Sequence, residues 1–290
     1  MTASCTGAVD TGFASLDYLQ IGFLGVVQGV TELLPVSSTA HMRVIPALLG
    51  WPDPGSAFSA AMQLAALAAV LSYFWRDLRG VIEGSLTAIR RRDFQSSSFR
   101  LAVGIFLATI PIGLAGIALS SLLNACNSPL RGLMVIGVSC VVMAILMGIS
   151  ELTCSHRRSM GEMRLRDALI VGLAQVGALI PGVSRSGSTL TGALFLNFKR
   201  EEAAQFSFLL GLPAITLAGF KELWVLSQAH IDAVAWLHLM VGLLVASISA
   251  FLAIWGLMNF LEKFSTWPFA IYRAGLGIFL IAAVSLGRLG

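Results

Sequence analysis

Charged residues are absent from long stretches of this chain, and the gaps between charges set out its elements. Residues 54–75, 101–123, 133–150, 203–220 and 239–261 each hold eighteen or more consecutive uncharged positions. At about 1.5 Å per residue, such a run crosses a hydrocarbon core about 30 Å thick. A sixth span, 270–287, is interrupted only by Arg273 near its start, where a long side chain is expected to snorkel to the interface. Three further runs are too short to cross: 18–31, 168–184 and 186–198 offer fourteen, seventeen and thirteen uncharged positions. They border two polar stretches, Gln28 to His41 and Pro181 to Thr189. Short apolar helices meeting at Gly/Pro/Ser-rich turns predict two re-entrant hairpins, 17–49 and 168–198, whose turns must be buried in protein or face water. The expected fold is an all-α integral membrane protein with six transmembrane helices and two re-entrant hairpins, forming one membrane domain over 1–290.

The first polar stretch carries the most chemistry. Gln28 and Glu32 are four apart and share a helix face. Pro35 ends that helix, because the residue before a proline is pushed out of the α region. Ser37, Ser38 and Thr39 are preferred N-cap types, so a second short helix starts there and carries His41 in its first turn. A broken apolar helix with polar groups at the break is how membrane proteins build midplane sites.

Charge placement gives a topology. Arg76, Arg79, Arg90, Arg91, Arg92 and Arg100 crowd a predicted loop at 76–100, and Arg157, Arg158, Arg164 and Arg166 a second at 151–167. Lys199, Arg200 and Lys263 fall on the same side, whereas the loops near 50–56, 124–132 and 227–238 carry only Arg131. Basic connections face the cytoplasm, so the N-terminus is expected outside, with hairpin 17–49 entering from outside and 168–198 from inside. The halves also echo each other. Gly22 to Thr39 parallels Gly172 to Thr189, with four extra residues after the second proline, and each copy precedes a Phe-Ser pair (Phe58-Ser59, Phe206-Ser207). The expectation is an inverted-topology repeat of 17–150 and 168–288 with a site where the turns meet.

Composition sharpens the class. With 57% hydrophobic residues, 12% charged residues and a mean hydropathy of +0.84, the chain is excluded from ordinary soluble globules, which carry about 25% charge. Its basic residues cluster between apolar runs, which reads as membrane topology and not nucleic-acid binding. No cationic segment with a small-residue cleavage site precedes the first apolar run, so no removable signal peptide is expected. Cys5, Cys126, Cys140 and Cys154 lack metal-ligand spacing. Cys140 reads as packing, and a Cys5–Cys126 disulfide is disfavoured because scattered cysteines carry little pairing information.

The end of the first half-helix, with outward carbonyls and Glu32, suits a cation. The start of the second, with free N–H groups and hydroxyls, suits a phosphate. Arg185 in the second turn adds a planar cationic fork that matches phosphate oxygens. Together these describe metal-assisted phosphoryl transfer, with Ser38 or Ser37 as nucleophile and His41 as general base or acid. The plainer readings are helix caps for the hydroxyls, an interfacial side chain for His41 and a structural Glu32–Arg185 ion pair. Charges inside spans cost about 2.5–3.5 kcal/mol each on insertion scales, which favours function for Glu32 and Arg185. Arg43 and Gln63 read as supporting residues, and His156, His230 and His238 as surface residues.

Q-G-x-T-E-x-L-P-V-S-S-T-x-H followed by P-G-x-S-R-S-G-x-T resembles the undecaprenyl-diphosphate phosphatase family of the bacitracin-resistance type. The likeness extends through Phe206 to Leu210 and Pro268 to Arg273. It implies hydrolysis of polyprenyl diphosphate to the monophosphate and inorganic phosphate in the bacterial plasma membrane, recycling the cell-wall lipid carrier; the arginine asymmetry adds that the Ser37 to His41 turn opens to the periplasmic side. Carried over by position, Glu32, Ser38, His41 and Arg185 are the catalytic candidates. Ser37, Thr39, Ser184, Ser186, Gly187 and Thr189 are the substrate-binding ones, and Gln28 and Glu32 hold a divalent cation, Mg²⁺ or Ca²⁺. Gln28 stands where many members have glutamate, which leaves the number of metal-binding carboxylates open. The motifs of the other membrane lipid phosphatases are unmatched, since Thr191 stands where their histidine would follow Ser184-Arg185. A flippase for the same lipid is the alternative, because paired re-entrant turns are also transporter architecture. A structural scaffold would leave Glu32 and Arg185 unexplained, and a homodimer is compatible with the sequence.

Overall fold

The computed structural model describes residues 11–119, 130, 132–229 and 231–289. The predicted connection around Arg131, His230 and both partners of the disfavoured Cys5–Cys126 bond lie outside the described residues. Twelve α-helices account for most of what is described: α1 (Tyr18–Leu33), α2 (Ser38–Leu49), α3 (Ser56–Ala61), α4 (Gln63–Tyr73), α5 (Trp75–Arg91), α6 (Ser97–Ala118), α7 (Leu133–Thr153), α8 (Leu165–Val176), α9 (Arg185–Phe195), α10 (Arg200–Gln228), α11 (Ala233–Leu261) and α12 (Trp267–Ser285). Among the described residues the only β pairing is an isolated bridge between Arg158 and Phe198. Five helices (α6, α7, α10, α11 and α12) are long and apolar enough to cross a membrane, and the bent run through α4 and α5 makes a sixth candidate. The protein is an all-α membrane protein.

Each element follows from its local sequence. Asp17 caps α1, its side chain accepting from Gln20 N at 2.8 Å while Gln20 returns a bond to Asp17 N. The first hairpin is α1 and α2, separated by Leu34 to Ser37. The second is α8 and α9, separated by a 3₁₀ turn, Gly177–Leu179, and by Ile180 to Ser184. Arg158 fixes the base of the second hairpin: it donates to Leu196 O at 3.0 Å and to Asp167 Oδ2 at 2.6 Å, and lies 4.5 Å above the Phe198 ring.

The packing is paired. α1 lies along α11, α8 along α6, and α7 along α12, while α10 covers α3 and α4. Close approach relies on residues without side chains. A Cβ on Gly29 would fall 2.4 Å from Ala246 O in α11, and one on Gly172 2.4 Å from Ala108 O in α6. Buried leucines, phenylalanines and alanines of α4, α6, α8, α9, α10 and α11 form the largest apolar core beside the turns.

Three sequence expectations are corrected here. The predicted loop at 76–100 is mostly helix α5, bent by 73° from the preceding span. Its apolar Trp75, Leu78, Ile82, Leu86 and Ile89 recur at the helical period, a stripe that the density of arginines obscured. The connection expected at 227–238 is confined to 229–232, because α10 and α11 both run further than their uncharged cores. The register of the internal repeat also changes. Ser37 and Ser184 are the matching N-caps, with φ of 74° and 69°, so counted from the caps the second proline falls one position earlier than the first, and Thr39 corresponds to Ser186 instead of Thr189.

Candidate active site at two facing turns

The turns expected to meet do meet. Ser37 Oγ accepts from Ala40 N at 3.4 Å and Ser184 Oγ from Gly187 N at 3.2 Å, so each serine closes the start of its second half-helix. Thr39 Oγ1 accepts from Gly182 N at 3.3 Å across the turns. Ser186 Oγ donates to Glu32 O at 3.2 Å, engaging one of the carbonyls left open at the end of α1.

Glu32, 7% exposed, is the centre of the polar cluster. Its carboxylate accepts from Ser38 Oγ at 2.6 Å, Gln28 Nε2 at 3.0 Å and Arg185 Nη2 at 3.3 Å. Arg185 makes this one side-chain hydrogen bond among the described residues, and its remaining donors are uncommitted. The guanidinium lies on Gly211 of α10: a Cβ there would stand 1.5 Å from Arg185 Nη1. The room for the arginine is therefore made by a glycine on another helix, a dependence that no local motif announces.

His41 is buried and held at both nitrogens. Nδ1 is 2.8 Å from Ser37 O, an atom that can only accept, so Nδ1 carries the proton; Nε2 accepts from the Tyr272 hydroxyl at 2.6 Å. Ser38 is bonded to Glu32 and His41 to Tyr272, so the two candidates sit on one turn with separate partners. Ser37, fully buried, is spent as a cap. Thr189 is likewise fully buried, donating to Arg185 O at 2.7 Å and lying 2.5 Å from Ser207 Oγ, behind the turn.

Arg273 overturns its sequence reading. Instead of reaching the interface it is fully buried, donating to Pro35 O at 3.1 Å, Gly182 O at 2.7 Å and Val183 O at 2.9 Å. It ties the two turns together, and three turn carbonyls supply what a counter-ion would. A charge inside a predicted span was its signal. Tyr272 and Gly211 gave no comparable one. His238 and His156 are also not surface residues. The first is buried with its ring 4.5 Å from Tyr18. The second lies in the connection after α7, its side chain 6% exposed and 3.5 Å from Glu151. Burial pushes the His156 imidazole below its ordinary value, against the pull of Glu151.

For a cation, Gln28 and Glu32 offer one carboxylate and one amide oxygen, hard donors that suit Mg²⁺ or Ca²⁺. Among the described residues no group of three His, Cys, Asp or Glu side chains converges, so any further ligands would be helix-end carbonyls, hydroxyls or substrate oxygens. Two cavities flank the turns. An apolar groove of about 660 Å³ runs between α1 and α11 and reaches Leu34 at the first turn. A smaller one, with Arg43, Asp53 and Gln63 in a mostly apolar wall, opens beside Thr39.

Known proteins place this geometry. The family model described as bacitracin resistance protein BacA matches residues 21–279. Over 263 residues, 91% of this chain and all of the relative, the chain is 67% identical to undecaprenyl-diphosphatase 2 of Mesorhizobium japonicum. It is 48% identical over 284 residues to the undecaprenyl-diphosphatase of Trichormus variabilis, covering 97% of this chain and 88% of that one. It is also 48% identical over 275 residues to that of Synechococcus elongatus, covering 94% and 96%. With the match spanning nearly the whole fold and both turns, the chain belongs to the BacA family.

Proposed function

We propose that this protein is a membrane phosphatase that hydrolyses undecaprenyl diphosphate to undecaprenyl phosphate and inorganic phosphate, recycling the cell-wall lipid carrier and conferring bacitracin resistance. The observation that carries the reading is the Glu32 carboxylate, bonded to the Ser38 hydroxyl at 2.6 Å and to the Arg185 guanidinium at 3.3 Å between two half-helix starts.

The chemistry follows from those contacts. Ser38 Oγ attacks the terminal phosphorus, and its proton passes to Glu32. The bond between that phosphorus and the bridging oxygen breaks, and the oxygen leaves with its electron pair on the lipid monophosphate. Water then attacks the phosphorus of the phosphoserine with His41 taking its proton; the bond from phosphorus to Ser38 Oγ breaks, Glu32 returns its proton to that oxygen, and inorganic phosphate departs. The uncommitted donors of Arg185 and the N–H groups starting α2 and α9, around Ser37 to Thr39 and Ser184 to Gly187, stabilise charge on the transferring phosphoryl oxygens. Gln28 and Glu32 would hold a divalent cation, which would neutralise diphosphate charge when bound. The groove ending at Leu34 takes the part of the polyprenyl chain nearest the diphosphate.

The basic connections support a plasma-membrane orientation with 151–167 in the cytoplasm and the Thr39 side open to the periplasm. An impermeant thiol reagent on intact cells should label cysteines introduced near Pro52 and Ala229 and spare one near Ser97; labelling at Ser97 would reverse the orientation. The activity is tested by phosphate release from purified, detergent-solubilised protein given polyprenyl diphosphate. No release, with lipid transfer across vesicles retained, would make it a flippase.

A further inference from the structure

The cavity beside the first turn, about 190 Å³ in volume and apolar over most of its wall, has no part in the chemistry described above. Thr39, Arg43, Asp53, Ser59 and Gln63 share its lining with Met42, Ala60, Ile136 and Pro181 of the second turn. Thr39 and Arg43 are four apart on α2 and share a face, and Thr39 follows the proposed nucleophile directly in sequence. Gln63, the first residue of α4, brings an amide without a hydrogen bond among the described residues. At roughly 30 Å³ per water, the space exceeds what the five heavy atoms of a phosphate need. The cavity joins the inner turns to the loop after α2.

We propose that this cavity is a phosphate-binding vestibule in which Arg43, with Thr39 and Gln63, holds the anion as it leaves or enters the site. The proposal rests on the phosphatase reading for its source of phosphate. Arg43 is tied to Asp53 through a single nitrogen, Nη1 at 3.0 Å, with both side chains about half exposed. Asp53 has a separate anchor, accepting from Gly55 N at 3.0 Å. One exposed contact of this kind contributes little, whereas a phosphate offers the guanidinium two parallel charge-assisted bonds. Asp53 is the opposing charge. Its carboxylate keeps the guanidinium aimed along the cavity wall and repels a lingering anion, so binding is weak and a departing product is not trapped.

The test is inhibition of the purified, detergent-solubilised protein by added inorganic phosphate, with the KM for polyprenyl diphosphate and a phosphate-dependent melting shift at constant ionic strength measured alongside. Arg43→Gln should raise the half-inhibiting phosphate concentration about tenfold, the scale of a lost bidentate pair. Asp53→Asn, which removes the repulsion, should lower it. Arg79→Gln, far away on α5, should leave it unchanged. If Arg43→Gln is poorly folded, Arg43→Lys keeps the charge without the fork and should still raise the value. A shift in inhibition assigns the vestibule to free product, and a shift in KM alone assigns it to the terminal phosphate of the substrate. Unchanged inhibition and unchanged KM in Arg43→Gln, or weaker inhibition in Asp53→Asn, would overturn the proposal. The melting shift reads phosphate binding without turnover, so a protein that binds phosphate through Arg43 but releases none would reject the phosphatase reading alone.

Discussion

The two turns share a backbone and divide the chemistry. Each opens its second half-helix with a serine in the left-handed region, at φ 74° for Ser37 and 69° for Ser184. Each cap serine also lies close to the hydroxyl two residues on, Thr39 at 3.1 Å and Ser186 at 3.2 Å. Nine positions before the caps stand Gln28 and Gln175. From there the copies part. Five before the cap is Glu32 in one and Leu179 in the other; one after it is Ser38 in one and Arg185 in the other; four after it is His41 in one and Ser188 in the other. The first turn therefore holds the acid, the hydroxyl and the imidazole, and the second holds the cation. Gln28 donates to Glu32, whereas the Gln175 amide is buried with neither atom bonded among the described residues. The two turns present paired helix starts, and the different residues at those three positions make the pair unlike in charge.

The largest effects should come from that polarity. Glu32→Ala, Arg185→Lys and Ser38→Ala are each expected to lose at least about 10²-fold in turnover, while Leu179→Ala at the mirror position and Ser37→Ala at the cap change it far less. Phosphate release measured beside thermal stability separates the roles, because breaking a buried ion pair by itself costs about 3–5 kcal/mol of stability. Near-normal turnover in folded Ser38→Ala would move the nucleophile to another group. Gly211→Ala should approach the same loss, since its methyl would occupy the Arg185 guanidinium; a variant with full activity would show that the arginine works from another place.

Tyr272→Phe, which leaves His41 Nε2 without its partner, should lower turnover about tenfold with KM nearly constant. An unaltered rate would reduce Tyr272 to a packing ring, stacked 5.6 Å from His41. The smallest effect concerns Gln28. Restoring a carboxylate with Gln28→Glu should keep the protein active and lower the Mg²⁺ or Ca²⁺ concentration for half-activation about threefold, because affinity rises with ligand charge. Activity against metal concentration is the measurement, and identical curves for Gln28→Glu, Gln28→Leu and the parent would remove Gln28 from the cation site.

Much of this was legible in the chain. Membrane spans are set by length and apolarity, because the hydrocarbon core has a fixed thickness and offers no partner to polar groups, and those quantities are local. The breaks at Pro35 and Pro181, the caps at Ser37 and Ser184 and the pairing of charged groups with short apolar runs are local for the same reason. α5 was misread because a density of arginines resembles a loop unless the apolar residues are counted at the helical period.

The partners of the charges could not be read locally. Sequence placed Arg185 and Glu32 in separate hairpins, and only the meeting of the two turns, with α2 and α9 both packed on α7, brings them to 3.3 Å. Arg273 is 91 residues from Gly182 and 238 from Pro35, yet it bonds both; a charge inside a span announces a cost but not what offsets it. Gly211 is one more glycine in an apolar helix until a guanidinium lies on it. Sequence by itself determined which segments enter the membrane and which residue types sit at the breaks, because those depend on transfer to lipid and on neighbours within a turn of helix. Tertiary structure alone decided which donor meets which acceptor, because a buried polar group is stabilised only by partners in contact, and contact across the fold is set by how the helices pack.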